Sequence, residues 1–243
     1  MADAALPFES YSSRAKDDLQ KIAEKRLRPA LTDPNFLVLH SRRLIFQAWI
    51  AQLPDKALSI LDVGGRYQPY RPLFTGRVKR YFGFDLLRTD FVDVVGTGES
   101  LPFASASFDL VIATQVFDCF KEPHRAAQQI HSVLKPGGAL LASIPSMAPQ
   151  FSDGERWRFT ASGVRSVLSM FSEIKVVPEL SSLGGLLRTT NLALHSFVPS
   201  RLLKKLVRTT LVPCINFTGL GLEALHITSN NQFTPNYSVL AIK

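Results

Sequence analysis

Two apolar runs, each closed by a feature that a ligand could use, constrain this chain most. Ser59-Ile60-Leu61-Asp62-Val63-Gly64-Gly65 reads as a buried strand that ends in a glycine turn. Arg80-Tyr81-Phe82-Gly83-Phe84-Asp85 reads as a second strand that ends on a carboxylate. Glycine lets backbone approach a ligand where a Cβ would clash. A carboxylate about 20 residues after such a turn is placed to accept hydrogen bonds from a ribose diol. The pattern calls for a nucleoside-containing cofactor.

The same alternation continues downstream. Phe91–Val95 reads as a short strand, and the glycines and proline of 96–103 mark a loop. Residues 108–113 and 139–144 are further apolar runs, separated by a helical stretch at 122–134 that Lys135-Pro136-Gly137-Gly138 stops. Thr160 is placed to cap a helix running to Phe171, 173–177 reads as another strand, and 236–242 as the last. Continuous apolar strands alternating with helices predict an α/β fold: a mostly parallel sheet buried on both faces. Residues 1–57 carry two helical patterns, 12–28 and 36–53, expected as a cap at the edge of the main domain or over a cofactor mouth. The expected organisation is this cap, a core at 58–180, an insertion at 181–233 with a turn at Gly219 and Gly221, and a final core strand at 234–243.

Composition narrows the class. With 46% hydrophobic and 20% charged residues the chain is globular rather than disordered. Its net charge of +8 favours anionic partners. Two unpaired cysteines, Cys119 and Cys214, and scattered histidines predict neither a disulfide framework nor a zinc site. Reduced cytosol is the default compartment. Met1–Pro7 lacks a signal-peptide pattern, and no apolar stretch is long enough to span a bilayer.

In order and spacing, four motifs resemble class I S-adenosylmethionine-dependent methyltransferases of the type 11 group: residues 60–65, 83–85, 99–103 with 107–111, and 133–138. The resemblance covers roughly 58–171 and implies a three-layer Rossmann-like sandwich, a seven-stranded sheet with an antiparallel final strand. It further implies S-adenosylmethionine as cofactor and methyl transfer as activity. It assigns Gly64 and Gly65 to the methionine and ribose side, Asp85 to the ribose hydroxyls with Leu86 beside it, and Gly98, Glu99 and Leu101 to the adenine. Asp62 would fix the turn or hold the cofactor ammonium through water. Gln115 would face the donor methyl or start a helix. Arg66 and Gln68 stand where the family's second and third glycines would be.

Candidates for a base are Asp118, His124, Asp153 and Glu155, with His124 at a helix start. The segment 153–160 mixes two arginines, two carboxylates and a tryptophan after the fifth strand. It resembles a Trp-Arg-Phe-Thr segment in methyltransferases of bacterial glycan and cell-surface polysaccharide synthesis. Trp157 and Arg158 are therefore substrate-binding candidates, and the acceptor is expected to be a sugar or lipid-linked saccharide. Residues 200–212 form an amphipathic helix with Arg201, Lys204, Lys205 and Arg208 on one side. It would lie on an anionic membrane or, as the favoured expectation, pack its apolar face on the domain.

Three other readings are kept. A nicotinamide-dependent oxidoreductase fits Asp85 but lacks a Tyr-x-x-x-Lys pair. A degenerate methyltransferase-fold binding module is kept alive by Arg66 and Gln68. Nucleic-acid methylation lacks a Pro-Pro-Tyr-type motif after the fourth strand, where the chain has Ala113-Thr114-Gln115-Val116. The acceptor is expected to be a small molecule or saccharide, not nucleic acid.

Overall fold

Alternation within each strand decides the layers. In β1 (Leu58–Val63) Leu58 and Ile60 point to one face and Leu61 and Val63 to the other. In β4 (Phe108–Thr114) Leu110 and Ile112 share the first face, Val111 and Ala113 the second. β5 (Leu134–Pro145) divides likewise, with Ala139 and Leu141 against Leu140, Ala142 and Ile144. Both faces are apolar, so both must be covered. The computed structural model describes residues 16–225 and 230–243. The reading of Met1–Pro7 and the start of the first helix at 12–15 lie outside the described residues.

The seven strands, completed by β2 (Val78–Asp85), β3 (Val94–Val95), β6 (Glu173–Pro178) and β7 (Asn236–Ile242), run in the order β3-β2-β1-β4-β5-β7-β6. All pairs are parallel except those of β7, which lies antiparallel between β5 and β6. The expected seven-stranded, Rossmann-like sheet with an antiparallel final strand is the observed one. The ends of β1, β2, β4, β5 and β6 and the start of β7 therefore share one edge, with Pro145 opposite Asn236. Ligands bind at such an edge in open α/β sheets.

α3 (Pro123–Val133) and α4 (Ala161–Val167) cover one face through Ala126, Ala127, Ile130, Val164 and Val167. Thr160 caps α4 by accepting from the Gly163 N–H, but the helix stops at Val167 rather than Phe171. On the other face, α1 (Lys16–Leu27) and α2 (Phe36–Ile50) bring Leu27, Phe46, Trp49 and Ile50 against β1, β4 and β5. These two helices form a layer of the sandwich rather than an edge.

The insertion is helical: α5 (Ser182–Phe197), α6 (Arg201–Thr209) and α7 (Leu211–Ala224). The single helix expected at 200–212 breaks at Thr210. Pro213 enters the first turn of α7, where its missing N–H costs nothing. Gly219 and Gly221 make no turn but lie inside α7. A Cβ on Gly219 would sit 2.6 Å from Leu37 Cδ1, so the glycine admits close packing of α7 on α2. Among the described residues no helix is long and apolar enough to cross a membrane.

Candidate functional site

The turn after β1 closes on the end of β2. The N–H groups of Gly64 and Gly65 both donate to Phe84 O, at 2.8 and 3.1 Å. Gly64 has φ +82°, and an added Cβ would also press on Val116 at 3.1 Å. Asp85, the next residue of β2, is thereby fixed beside the glycine turn. Its side chain is 2% exposed. Oδ1 accepts from the Leu87 N–H at 3.0 Å, and Oδ2 from Arg66 Nε at 3.1 Å. Arg66 is thus a donor already seated on the carboxylate, as a ribose hydroxyl would be. The half-exposed Leu86 follows.

Gln68 explains how the turn proceeds without its third glycine. The residue has φ +48°, the left-handed region that glycine favours. Its buried side chain offsets the strain by donating to Phe91 O at 2.6 Å and accepting from Arg71 at 2.9 Å. Nothing in local composition signals this, because the compensating partner is 23 residues away.

Asp62 lies buried at the end of β1 and accepts from the Tyr81 hydroxyl at 2.6 Å. Burial pushes its carboxyl up to about 7, the Tyr81 hydrogen bond pulling the other way. Near neutral pH the group stands between its charged and neutral forms.

The loop after β3 is tied to the turn after β4. A Cβ on Gly98 would strike the Phe120 ring at 2.4 Å. Glu99 Oε1 accepts from the Lys121 N–H at 2.7 Å, just ahead of α3. Leu101 is buried. Gln115 follows β4 with φ +53° and is exposed, its amide donating to Ser143 Oγ at 2.9 Å.

The segment after β5 lies along the same post-β4 turn. The Arg156 and Trp157 N–H groups donate to Asp118 O at 2.6 and 3.2 Å, and Trp157 Nε1 to Phe120 O at 2.8 Å. Trp157 remains 42% exposed. Arg158 pairs with Glu155 at 2.5 Å and donates to Ala148 O and Pro149 O, holding the loop folded. Asp118 is buried, and its Oδ1 has no partner among the described residues. Burial raises its carboxyl to about 6, Glu155 adding to the effect. The Cys119 thiol is pushed up to about 12, again first by burial, so it is no thiolate nucleophile. His124, in the first turn of α3, and Asp153 are exposed.

A buried ionic cluster backs the site, and sequence reasoning missed it. Glu179, directly after β6, takes Arg42 of α2 in a two-point pair, Nε–Oε1 2.8 Å and Nη2–Oε2 3.0 Å. Ser143 Oγ, Ser238 Oγ and Asn236 Nδ2 donate to the same carboxylate at 2.6, 3.0 and 3.1 Å. Through Ser143 the cluster reaches Gln115.

Comparison with known proteins agrees with this arrangement. Residues 61–142 match the family model described as a methyltransferase domain. The chain is 36% identical over 69 residues to malonyl-[acyl-carrier protein] O-methyltransferase 1 of Coxiella burnetii, a match spanning 26% of this chain and 24% of that protein. Among solved structures it resembles a Thermotoga maritima S-adenosylmethionine-dependent methyltransferase (TM-score 0.50, 18% identity, 94% of this chain and 100% of the other). It also resembles the [4+2]-cyclase SpnF (TM-score 0.52, 19% identity, 82% and 80%). Likeness at such identities establishes the fold alone, and one fold carries many chemistries. The matched segment runs from β1 through the glycine turn, the acid of β2 and the post-β3 loop into β5, and over these residues the chain is similar to methyltransferase domains.

Proposed function

We propose that the chain transfers a methyl group from S-adenosylmethionine to an oxygen of a sugar or lipid-linked saccharide. One observation carries the reading: a buried carboxylate, Asp85, fixed beside a glycine turn at the carboxyl edge of a parallel sheet. Asp85 would hold the ribose hydroxyls in place of Arg66, with Leu86 alongside. Gly64 and Gly65 would admit the methionine portion, with Asp62 toward its ammonium. Gly98, Glu99 and Leu101 would border the adenine, and Gln115 would face the donor methyl. The sulfonium supplies an already activated methyl group, so positioning the acceptor in line supplies most of the acceleration.

A hydroxyl acceptor gains from a base. Asp118 is the best suited of the candidates, since it is buried, has an unpartnered oxygen and is pushed toward neutral pH. Trp157 offers its exposed ring as a platform for a sugar face, and Arg158 orders the loop that presents it. Purified protein is expected to move isotope-labelled methyl from S-adenosylmethionine onto a saccharide with free hydroxyls and not onto the fully acylated one. Because the base works unprotonated, the rate should fall about tenfold per pH unit below about pH 6. Asp118→Asn should lose that acid limb and lower kcat by roughly 10²–10⁴-fold. A variant that keeps both rate and limb would remove Asp118 from the reaction.

The insertion supports a second element of the reading, contact with an anionic membrane. The sequence pattern favours inward packing of the apolar face of α6, yet only Val207 is buried there. Leu202, Leu203 and Leu206 are exposed, Leu202 at 82%, and Phe197 at the end of α5 at 84%. Arg201, Lys204, Lys205 and Arg208 occupy the opposite side of α6. An exposed apolar stripe backed by cations fits an anionic lipid surface. The protein should co-sediment with vesicles containing phosphatidylglycerol, less at high salt. Leu202→Asp with Leu206→Asp should weaken this at least about tenfold, since each leucine buried is worth ~1.5–3 kcal/mol. Equal sedimentation of the double variant would refute the contact.

A further inference from the structure

The buried cluster behind the site holds one positive charge too many. Arg42 is matched by Glu179. Arg188 of α5, only 4% exposed, belongs to the same neighbourhood and forms no ion pair among the described residues. Its Nε and Nη2 both donate to Asn35 Oδ1, at 3.2 and 2.9 Å. Its Nη1 is buried without a partner among the described residues. Burial, and then the nearby Arg42, lower its pKa to about 10, with Glu179 offsetting only part. At neutral pH the guanidinium is still charged.

A buried cation without a counter-charge is costly, by several kcal/mol in real proteins. Ordinary packing gives no reason to keep one. The position of Arg188 gives a reason. Asn35 is the residue before α2, and its side chain serves Arg188 instead of capping the helix. The Phe151 ring, 5.9 Å from the guanidinium carbon, belongs to the segment after β5 and is half exposed. Arg188 therefore lies just under the surface at the carboxyl edge of the sheet, the edge that also carries Gln115 and Asp85. A ligand that brings its own negative charge to Nη1 would neutralise the cluster and satisfy the orphaned donor in one step.

We propose that Arg188 docks an anionic group, a carboxylate or a phosphate, carried by the methyl acceptor. The inference rests on the reading of this edge as the acceptor cleft, and it narrows the acceptor to an acidic or phosphorylated molecule. Arg188 binds and orients, and no bond is made or broken at it.

The test uses the full chain and two small probes, sodium phosphate and sodium acetate, each compared with sodium chloride at equal ionic strength. Calorimetric binding of S-adenosylhomocysteine is measured first on wild type, Arg188→Gln and Arg188→Lys, which shows that each is folded. Phosphate, acetate or both should raise the wild-type Tm over chloride, by about 3–6 °C at a concentration roughly ten times Kd. Arg188→Gln should lose the increment. A response to phosphate alone assigns a phosphorylated acceptor, a response to acetate alone assigns a carboxylate, and a response to both supports an anion site that takes either group. No response to either anion, or an equal response in Arg188→Gln, overturns the proposal. Should Arg188→Gln not fold, Arg188→Lys decides. Lysine lacks the planar fork, so the increment should fall by at least about half, and an undiminished increment overturns the proposal. Failure of the wild type to bind S-adenosylhomocysteine would sink the cofactor reading instead, leaving the anion response to stand or fall by itself.

Discussion

Glu179→Ala is expected to destabilise the folded chain by about 3–5 kcal/mol, a loss of Tm on the order of 10 °C for a chain this long. Five groups converge on this one carboxylate or depend on it: Arg42, Ser143, Ser238, Asn236 and, through Ser143, Gln115. Its removal leaves Arg42 buried without a counter-charge beside Arg188, which already lacks one among the described residues. The two-point pair is itself no proof of net stabilisation, because desolvating both ions offsets much of their attraction. A double-variant cycle separates the two quantities. Arg42→Met with Glu179→Leu should recover most of the stability that Glu179→Ala loses. Thermal or urea unfolding reads both. A Glu179→Ala protein within ~1 kcal/mol of wild type would show that water reaches the cluster and that Arg42 is not confined by it.

The second large effect concerns affinity. Asp85→Ala should weaken S-adenosylmethionine binding by ~1–3 kcal/mol, roughly 5- to 150-fold, because two ribose hydroxyls lose a charged acceptor. Calorimetric titration measures it. The same substitution also releases Arg66, so Arg66→Ala belongs in the comparison. If loss of the ion pair alone mattered, the two variants would behave alike. If Asp85 grips the ribose, only Asp85→Ala loses affinity. Unchanged affinity in a folded Asp85→Ala protein removes the ribose assignment and with it the placement of the cofactor.

Much of the fold is legible because it is written in short-range alternation. The period-two exchange of Ile60 with Leu61, and of Leu110 with Val111, both names the strands and splits them between two apolar faces. The glycine turn and Asp85 are legible for a related reason: they lie at strand ends, where sequence order fixes position in space. The Arg42–Glu179 cluster is not legible, since its two charges are 137 residues apart and look like ordinary surface charges until α2 is laid over the sheet. Gln68 hides its backbone for a similar reason, because the amide that compensates the left-handed turn bonds to the loop before β3. The helical insertion misleads differently. Glycines 219 and 221 read as a turn, whereas Gly219 serves the contact between α7 and Leu37. A periodic apolar stripe on α6 predicts burial, but periodicity reports amphipathicity and does not say whether the apolar side meets protein or lipid.

The placement of β7 bears on how the chain is made. Its strand lies between β5 and β6, and among the described residues β6 has no other neighbour in the sheet. During synthesis, β5 and β6 emerge well before the residues that join them, and the helical insertion emerges in between. Until 236–242 leave the ribosome, two strands present unpaired edges, and the ladder that completes the sheet is a long-range closure. Growing chains should therefore expose the edges of β5 and β6 to chaperones and to aggregation until β7 has emerged.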